Sequence, residues 1–139
     1  MEKYKFIDDL TSDVMFESYG SNLKELFENS AEALFSVICD IDKIKPREKI
    51  EFKFKGKTLQ ETLYKFLSYL LAESEINEVF LCKFDVEITE SKQGYAGKVV
   101  AKGEKITPEK GGTVVKGITN YKFKVEKNEK YKATVVCDI

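Results

Sequence analysis

The 139-residue sequence predicts a single α+β domain: two amphipathic helices packed on mostly antiparallel sheet, in the order ββαβαββββ. Two segments place apolar residues at helical spacing. Seven others alternate apolar and polar residues with the period of a half-buried strand. The last of these strands follow one another through short turns, which makes them antiparallel neighbours.

In chain order, Tyr4 and Phe6 alternate with charges in a short first strand, "DDLTSD" interrupts it, and "VMFESY" resumes an extended pattern up to Gly20. Ser21 or Asn22 can cap a helix over 22–38, where Leu23, Leu26, Phe27, Leu34, Phe35 and Ile38 form a stripe. Asp40, Asp42 and Pro46 fall in the loop that ends it. "KIEFKFK" sets Ile50, Phe52 and Phe54 on one face of a strand, and Gly56 turns the chain. Thr58-Leu59-Gln60-Glu61 is a capping box for a second helix ending near Glu75, with Leu59, Leu63, Phe66, Leu67, Leu70 and Leu71 inward. From Glu78 to Thr89 the even positions are apolar, a long strand. Three more strands are predicted near 95–105, 113–126 and 130–138, the last two joined by a hairpin turn at "EKNEK". No internal repeat, linker or low-complexity segment divides the chain.

Composition narrows the function. Ten Phe and seven Tyr with 42% apolar residues supply a genuine core. No apolar run is long enough for a membrane span, and the N-terminus lacks the layout of a signal peptide, so a soluble cytoplasmic protein is expected. Charges nearly cancel at net −1, which gives no overall nucleic-acid footprint but leaves a local basic patch open. Cys39, Cys82 and Cys137 are odd in number, lack C-x-x-C spacing and read as buried free thiols. The absence of histidine removes Ser-His-Asp triads and most zinc sites. No P-loop, dinucleotide, HExxH or EF-hand motif occurs.

What the sequence offers instead is acids at strand ends. Asp8 and Asp9 close the first strand, Asp13 opens the second, and Asp138 with the α-carboxylate of Ile139 closes the last. Each can be a solvated rim charge. Together they can be a hard-cation site, since Ca²⁺ takes oxygen ligands and a terminal carboxylate serves if a packed strand holds it rigid. Lys105, Lys110 and Lys116, around "GEKITPEKGGTVVK", read as solvated loop lysines.

"FIDDLTSDVMFESYGSNLKELFENSAEALFSVI" resembles the opening of the archease family, with its D-H-T-A-D segment, a strand ending in Gly, and an L-x-E-L-F-x-x-A-A-x-A-L-F helix. "TVVKGITNYKFKV" resembles the family's T-E-V-K-A-V-T-Y-H-x-L-x-V, and "ATVVCDI" its closing A-x-V-x-x-D-I. The likeness spans the whole chain in matching order. It implies a small non-catalytic partner of the RtcB-type RNA ligase of tRNA splicing, one that promotes guanylylation of the ligase and its multiple turnover. It further implies a divalent ion, calcium, held by Asp13, Asp138 and the terminal carboxylate of Ile139, with Asp9 as a hydrogen-bonding outer partner. RNA would then be met only through the ligase. The family's D-H-T histidine is Leu10 here, and its Tyr-His pair is Asn120-Tyr121, so no role of those histidines carries over. The alternative is a small divalent-metal-dependent phosphoester hydrolase, in which the ion would polarise phosphate and activate water.

Overall fold

The computed structural model describes residues 2–8 and 13–139. The elements are β1 (Tyr4–Ile7), β2 (Asp13–Gly20), α1 (Leu23–Ile38), β3 (Glu48–Gly56), α2 (Leu59–Asn77), β4 (Val79–Ser91), β5 (Gly94–Lys105), β6 (Gly117–Lys127) and β7 (Tyr131–Asp138). The order is the predicted one. The strands form two sheets, a four-stranded β1-β2-β7-β6 and a three-stranded β3-β5-β4. Every pairing in both is antiparallel.

Local chemistry sets the helix ends. Asn22 caps α1, its side chain accepting from the Glu25 N–H at 2.9 Å, while Glu25 accepts from the Ser21 N–H at 2.9 Å. Thr58 does the same for α2, accepting from the Glu61 N–H at 3.1 Å, and Glu61 accepts from the Lys57 N–H at 2.6 Å. That bond is the first cause holding the Glu61 carboxyl below its ordinary range. The α2 helix continues to Asn77, past the predicted end near Glu75. There Glu78 takes a left-handed conformation (φ 54°) and turns its N–H back to the carbonyls of Glu75 and Ser74.

The two helices join the sheets. The first was expected to bury one stripe, yet α1 is covered almost all round, because it packs on β2 of one sheet and β4 of the other. On the β2 side, Ser18 and Ser30 share a buried 2.6 Å hydroxyl contact, and Asn29 donates to the Tyr19 carbonyl at 2.7 Å. On the β4 side, Glu28 accepts from the Val86 N–H at 2.9 Å and Lys24 donates to the Val86 carbonyl at 3.1 Å. These satisfy the open edge of β4, which would otherwise offer unpaired backbone to another chain. On the β6 edge, Gln60 of α2 accepts from the Val125 N–H at 3.2 Å and Tyr64 donates to the Ile118 carbonyl at 2.8 Å. Between the sheets, the rings of Phe27, Phe54 and Phe66 meet at centroid distances of 4.9–5.7 Å.

Two predicted strands shift for identifiable reasons. The strand expected from residue 113 starts at Gly117, because the N–H groups of Gly112 and Thr113 donate to the carbonyls of Ile38 and Val37, each at 2.8 Å. The segment thus closes the C-terminal end of α1 instead of opening a ladder. In β4 the strict alternation breaks at a bulge between Leu81 and Lys83, so Phe80 and Leu81 are both buried and Cys82 is the extra residue. The backbone of β5 crowds close there: a Cβ on Gly103 would lie 1.7 Å from the Phe80 carbonyl oxygen. Of the loop lysines, Lys105 and Lys116 are exposed, as expected of solvated side chains, although Lys105 also pairs with Glu48 at 3.6 Å, whereas Lys110 is half-buried and pairs with Glu104.

Candidate metal centre

The β2–β7 ladder runs without irregularity from Asp13↔Asp138 to Gly20↔Tyr131. Residues opposite each other on an antiparallel pair share a face, and successive pairs alternate. Val14/Cys137, Phe16/Val135 and Ser18/Ala133 therefore face α1, where Phe16, Ala133, Val135 and Cys137 are core and Ser18 meets Ser30. Asp13/Asp138, Met15/Val136, Glu17/Thr134 and Tyr19/Lys132 occupy the face turned away from the helices.

That outer face is divided. Its far end is a polar network in which Tyr19 donates to Glu17 at 2.9 Å and Glu17 pairs with Lys5 and Lys132, both at 3.7 Å. Burial by itself would raise the Glu17 carboxyl. The Tyr19 hydroxyl and the ammonium groups of Lys132 and Lys5 outweigh it and hold the group below its ordinary range. Next comes a dry pair, Met15 and Val136, with exposures of 6% and 0%. Beyond these lie Asp13, half-buried, and Asp138, exposed.

No basic side chain forms an ion pair with either carboxylate among the described residues. On the third strand Gly117 pairs with Asp138, and a Cβ there would have nothing within 4 Å, so space stays open beside the carboxylates. The Lys116 N–H donates to the Asp138 carbonyl at 2.7 Å, anchoring the end of β7. Ile139 follows directly, 37% exposed.

The donor set is hard oxygen. Cys137 adjoins in sequence but points into the core, its thiol pushed up to about 12 first by burial and then by the Asp13 charge. Burial also raises Cys39 to about 12 and Cys82 above its ordinary range, so none of the three is a ready thiolate nucleophile. Among the described residues no group of three or more His, Cys, Asp or Glu side chains gathers as a metal site. The structure thus sets two of the expected side chains, Asp13 and Asp138, opposite each other, and Ile139, whose α-carboxylate the family resemblance implies as the third ligand, follows directly after Asp138. Asp9 and Leu10 lie outside the described residues.

Sequence reasoning missed the outer-face network and a distortion in β6. There four residues, Asn120 to Phe123, stand between the pairs Thr119↔Val136 and Lys124↔Thr134, with Lys122 at φ 57°. Tyr121, at the position resembling the family histidine, sits in this distortion with 57% exposure. The uneven alternation of "GITNYKFKV" was the signal that could have shown it.

Residues 4–139 match the model of the Archease protein family (MTH1598/TM1083). The chain belongs to the archease family. It is similar to the protein archease of Sulfurisphaera tokodaii, at 39% identity over the full length of both chains. To the protein archease of Archaeoglobus fulgidus it is 40% identical over 99% of each chain. Its fold is similar to the solution structure of Methanobacterium thermoautotrophicum protein 1598, with a TM-score of 0.87 and 29% identity over all of both chains. The α+β architecture expected from the sequence is thus also that of a solved structure. No helix among the described residues is long and apolar enough to cross a membrane.

Proposed function

We propose that this chain is a non-catalytic, metal-binding activator of an RtcB-type tRNA-splicing RNA ligase, promoting guanylylation of the ligase and its multiple turnover in the cytoplasm. The observation that carries the metal part of this reading is the register that sets Asp13 directly opposite Asp138 on an open face, with no ion pair to either among the described residues. Like charges directly opposite on a ladder repel. A cation relieves that repulsion, and carboxylate oxygens beside open space suit Ca²⁺, which takes six to eight oxygens from protein and water.

In this reading Asp13, Asp138 and the Ile139 α-carboxylate hold the ion. A bound divalent ion supplies concentrated positive charge at the end of the sheet. The protein's own residues fix the position of that charge: the β2–β7 ladder holds the two aspartates, the Lys116 N–H anchors the chain end, and Met15 and Val136 wall the site off from the Glu17–Lys132 network. Activation then follows from docking this rigid, charged end of the molecule on the ligase.

The test is multiple-turnover RNA ligation by a matched ligase with GTP and divalent metal. Sub-stoichiometric amounts of this protein are expected to raise both guanylylation and turnover. No rise removes the activator reading, and phosphoester hydrolysis by the protein alone would assign the site to hydrolysis instead.

A further inference from the structure

We propose that the solvent face of the β3-β5-β4 sheet docks the phosphodiester backbone of RNA. The register defines this face. Lys49, Lys102 and Lys83 lie side by side across the three strands, followed by Glu51, Val100 and Asp85, then Lys53, Lys98 and Glu87, then Lys55, Ala96 and Thr89. Neither helix covers it: all of these residues are exposed except Val100, which is half-buried.

The face therefore carries six lysines against three acids, and one of the acids, Asp85, is already paired with Lys24 of α1 at 2.7 Å. Among the described residues no carboxylate lies within ion-pair distance of any of the six lysines. Strands stand about 4.7–4.9 Å apart, so Lys102 has a like charge on each side, and Asp85, whose carboxyl feels Lys102, is held first by Lys24. The whole chain has net charge −1, so this excess is local. Its counterpart must be a dense array of negative charge.

Two features favour a nucleic-acid backbone over an acidic protein surface. Every cation on the face is lysine, which binds phosphate as a point charge and is depleted at protein interfaces. The face also presents no aromatic side chain, only Val100, Ala96 and Thr89 among the charges, so it lacks both the anchors of a protein hot spot and a platform for stacked bases. Two open hollows of about 300 Å³ and 240 Å³ lie here, the first lined by Lys83 and Lys102 with Asp85 and the second by Lys53 and Lys98 with Glu51, so a phosphate settling in either meets two ammonium groups and one carboxylate. Binding would be blind to sequence and steep in salt. RNA as the nucleic acid rests on the ligase reading above. The affinity of the face for phosphodiester does not, and it amends the expectation that RNA is met only through the ligase.

The experiment is fluorescence anisotropy of the protein alone, without ligase, with a labelled 20-nucleotide oligouridylate at about 50 mM salt. The triple variant K49Q/K83Q/K102Q is expected to bind at least tenfold more weakly. Its log–log salt slope should be shallower by about 2, because each phosphate of a single strand that a lysine ceases to neutralise takes roughly 0.7 from the slope. Lys132→Gln, on the other sheet, should bind as the wild type does. The melting temperature of the triple variant at low salt should stay close to the wild type's, since the Lys49–Lys102–Lys83 repulsion that is removed offsets the lost attraction of Lys102 to Asp85. Equal RNA affinity in the triple variant, or no binding by the wild type, overturns the proposal. So does a polyglutamate peptide that displaces the RNA at lower concentration than unlabelled oligouridylate, which would assign the face to an acidic protein. Ligase activation is not part of the readout, so failure here leaves the activator reading standing, and the reverse also holds.

Discussion

Asp13, the first residue of β2, and Asp138, the last of β7, are register partners on neighbouring strands, with both side chains on the face away from the helices. A cation on the next strand would answer such a pair. Here the next strand offers Gly117. Under the proposed metal reading, stability should depend on metal.

Calcium should raise the melting temperature of the wild type, as a ligand that binds only the native state adds about 2.7 kcal/mol at a hundredfold excess over Kd. Asp13→Asn and Asp138→Asn should behave oppositely in its presence and absence. In chelator at low salt each removes a repulsion and leaves stability unchanged or higher, whereas in calcium each shrinks the increment. One residue added after Ile139 should shrink it too, since only the terminal charge moves. Thermal melts with and without chelator decide, and a calcium increment equal in all variants would remove these three groups as ligands.

Phe66 lies at the centre of the aromatic cluster, fully buried against Phe27 and Phe54. Phe66→Ala should cost about 3–5 kcal/mol, the loss of transfer energy plus a cavity between elements too rigid to collapse. Urea denaturation measures it. A cost below about 1 kcal/mol would mean that the two sheets close over the gap.

The Ser18–Ser30 contact predicts an asymmetry. Ser30 donates its hydroxyl proton to the Leu26 carbonyl at 2.7 Å, so in the 2.6 Å contact Ser18 is the donor. Ser30→Ala strands the buried Ser18 hydroxyl and should cost about 1–3 kcal/mol, whereas Ser18→Ala leaves Ser30 bonded to its own helix and should cost less. Equal costs in denaturant titrations would mean that Ser18 finds another acceptor.

The helices and strands were legible because their side chains alternate between one dry face and one wet face. Leu63, Phe66, Leu67 and Leu70 announce α2 whatever surrounds it. Contacts made later along the chain were not legible. Nothing in "GGTVV" says that its N–H groups will close the end of α1, because the carbonyls they meet belong to residues some seventy positions earlier. The bulge at Cys82 answers the backbone of β5, a partner that periodicity does not name. For the site, the sequence supplied Asp13 and Asp138 as residue types at strand ends, while their adjacency is a property of register, set by the pairing of β2 with β7. The basic sheet face was invisible for the same reason. Its lysines are dispersed over three strands and averaged away in a net charge of −1.

Glu17 should make stability fall in mild acid. Its side chain is 20% exposed, and its carboxyl is held below the ordinary 4.5 by the Tyr19 hydroxyl and the Lys132 and Lys5 ammonium groups, against the opposing effect of burial. A carboxyl depressed in the folded state binds its proton more readily when the chain unfolds. The stabilisation is therefore complete above about pH 4.5 and is lost as pH falls through the lower folded value. Glu17→Gln keeps the shape and removes the charge, so it should cost about 1 kcal/mol at pH 7. That cost should shrink as pH falls below about 4.5, since the wild-type carboxyl is then also neutral. The Tyr19 hydroxyl lowers the carboxyl most and the ammonium groups add to it, so Lys132→Gln should lessen the acid sensitivity of the wild type in part, while Lys132→Arg should preserve it. Denaturant titrations of the four proteins between pH 3 and 7 test this. A cost of Glu17→Gln that stays constant over that range would show that Glu17 stabilises the sheet by shape and hydrogen bonding, with no contribution from its charge.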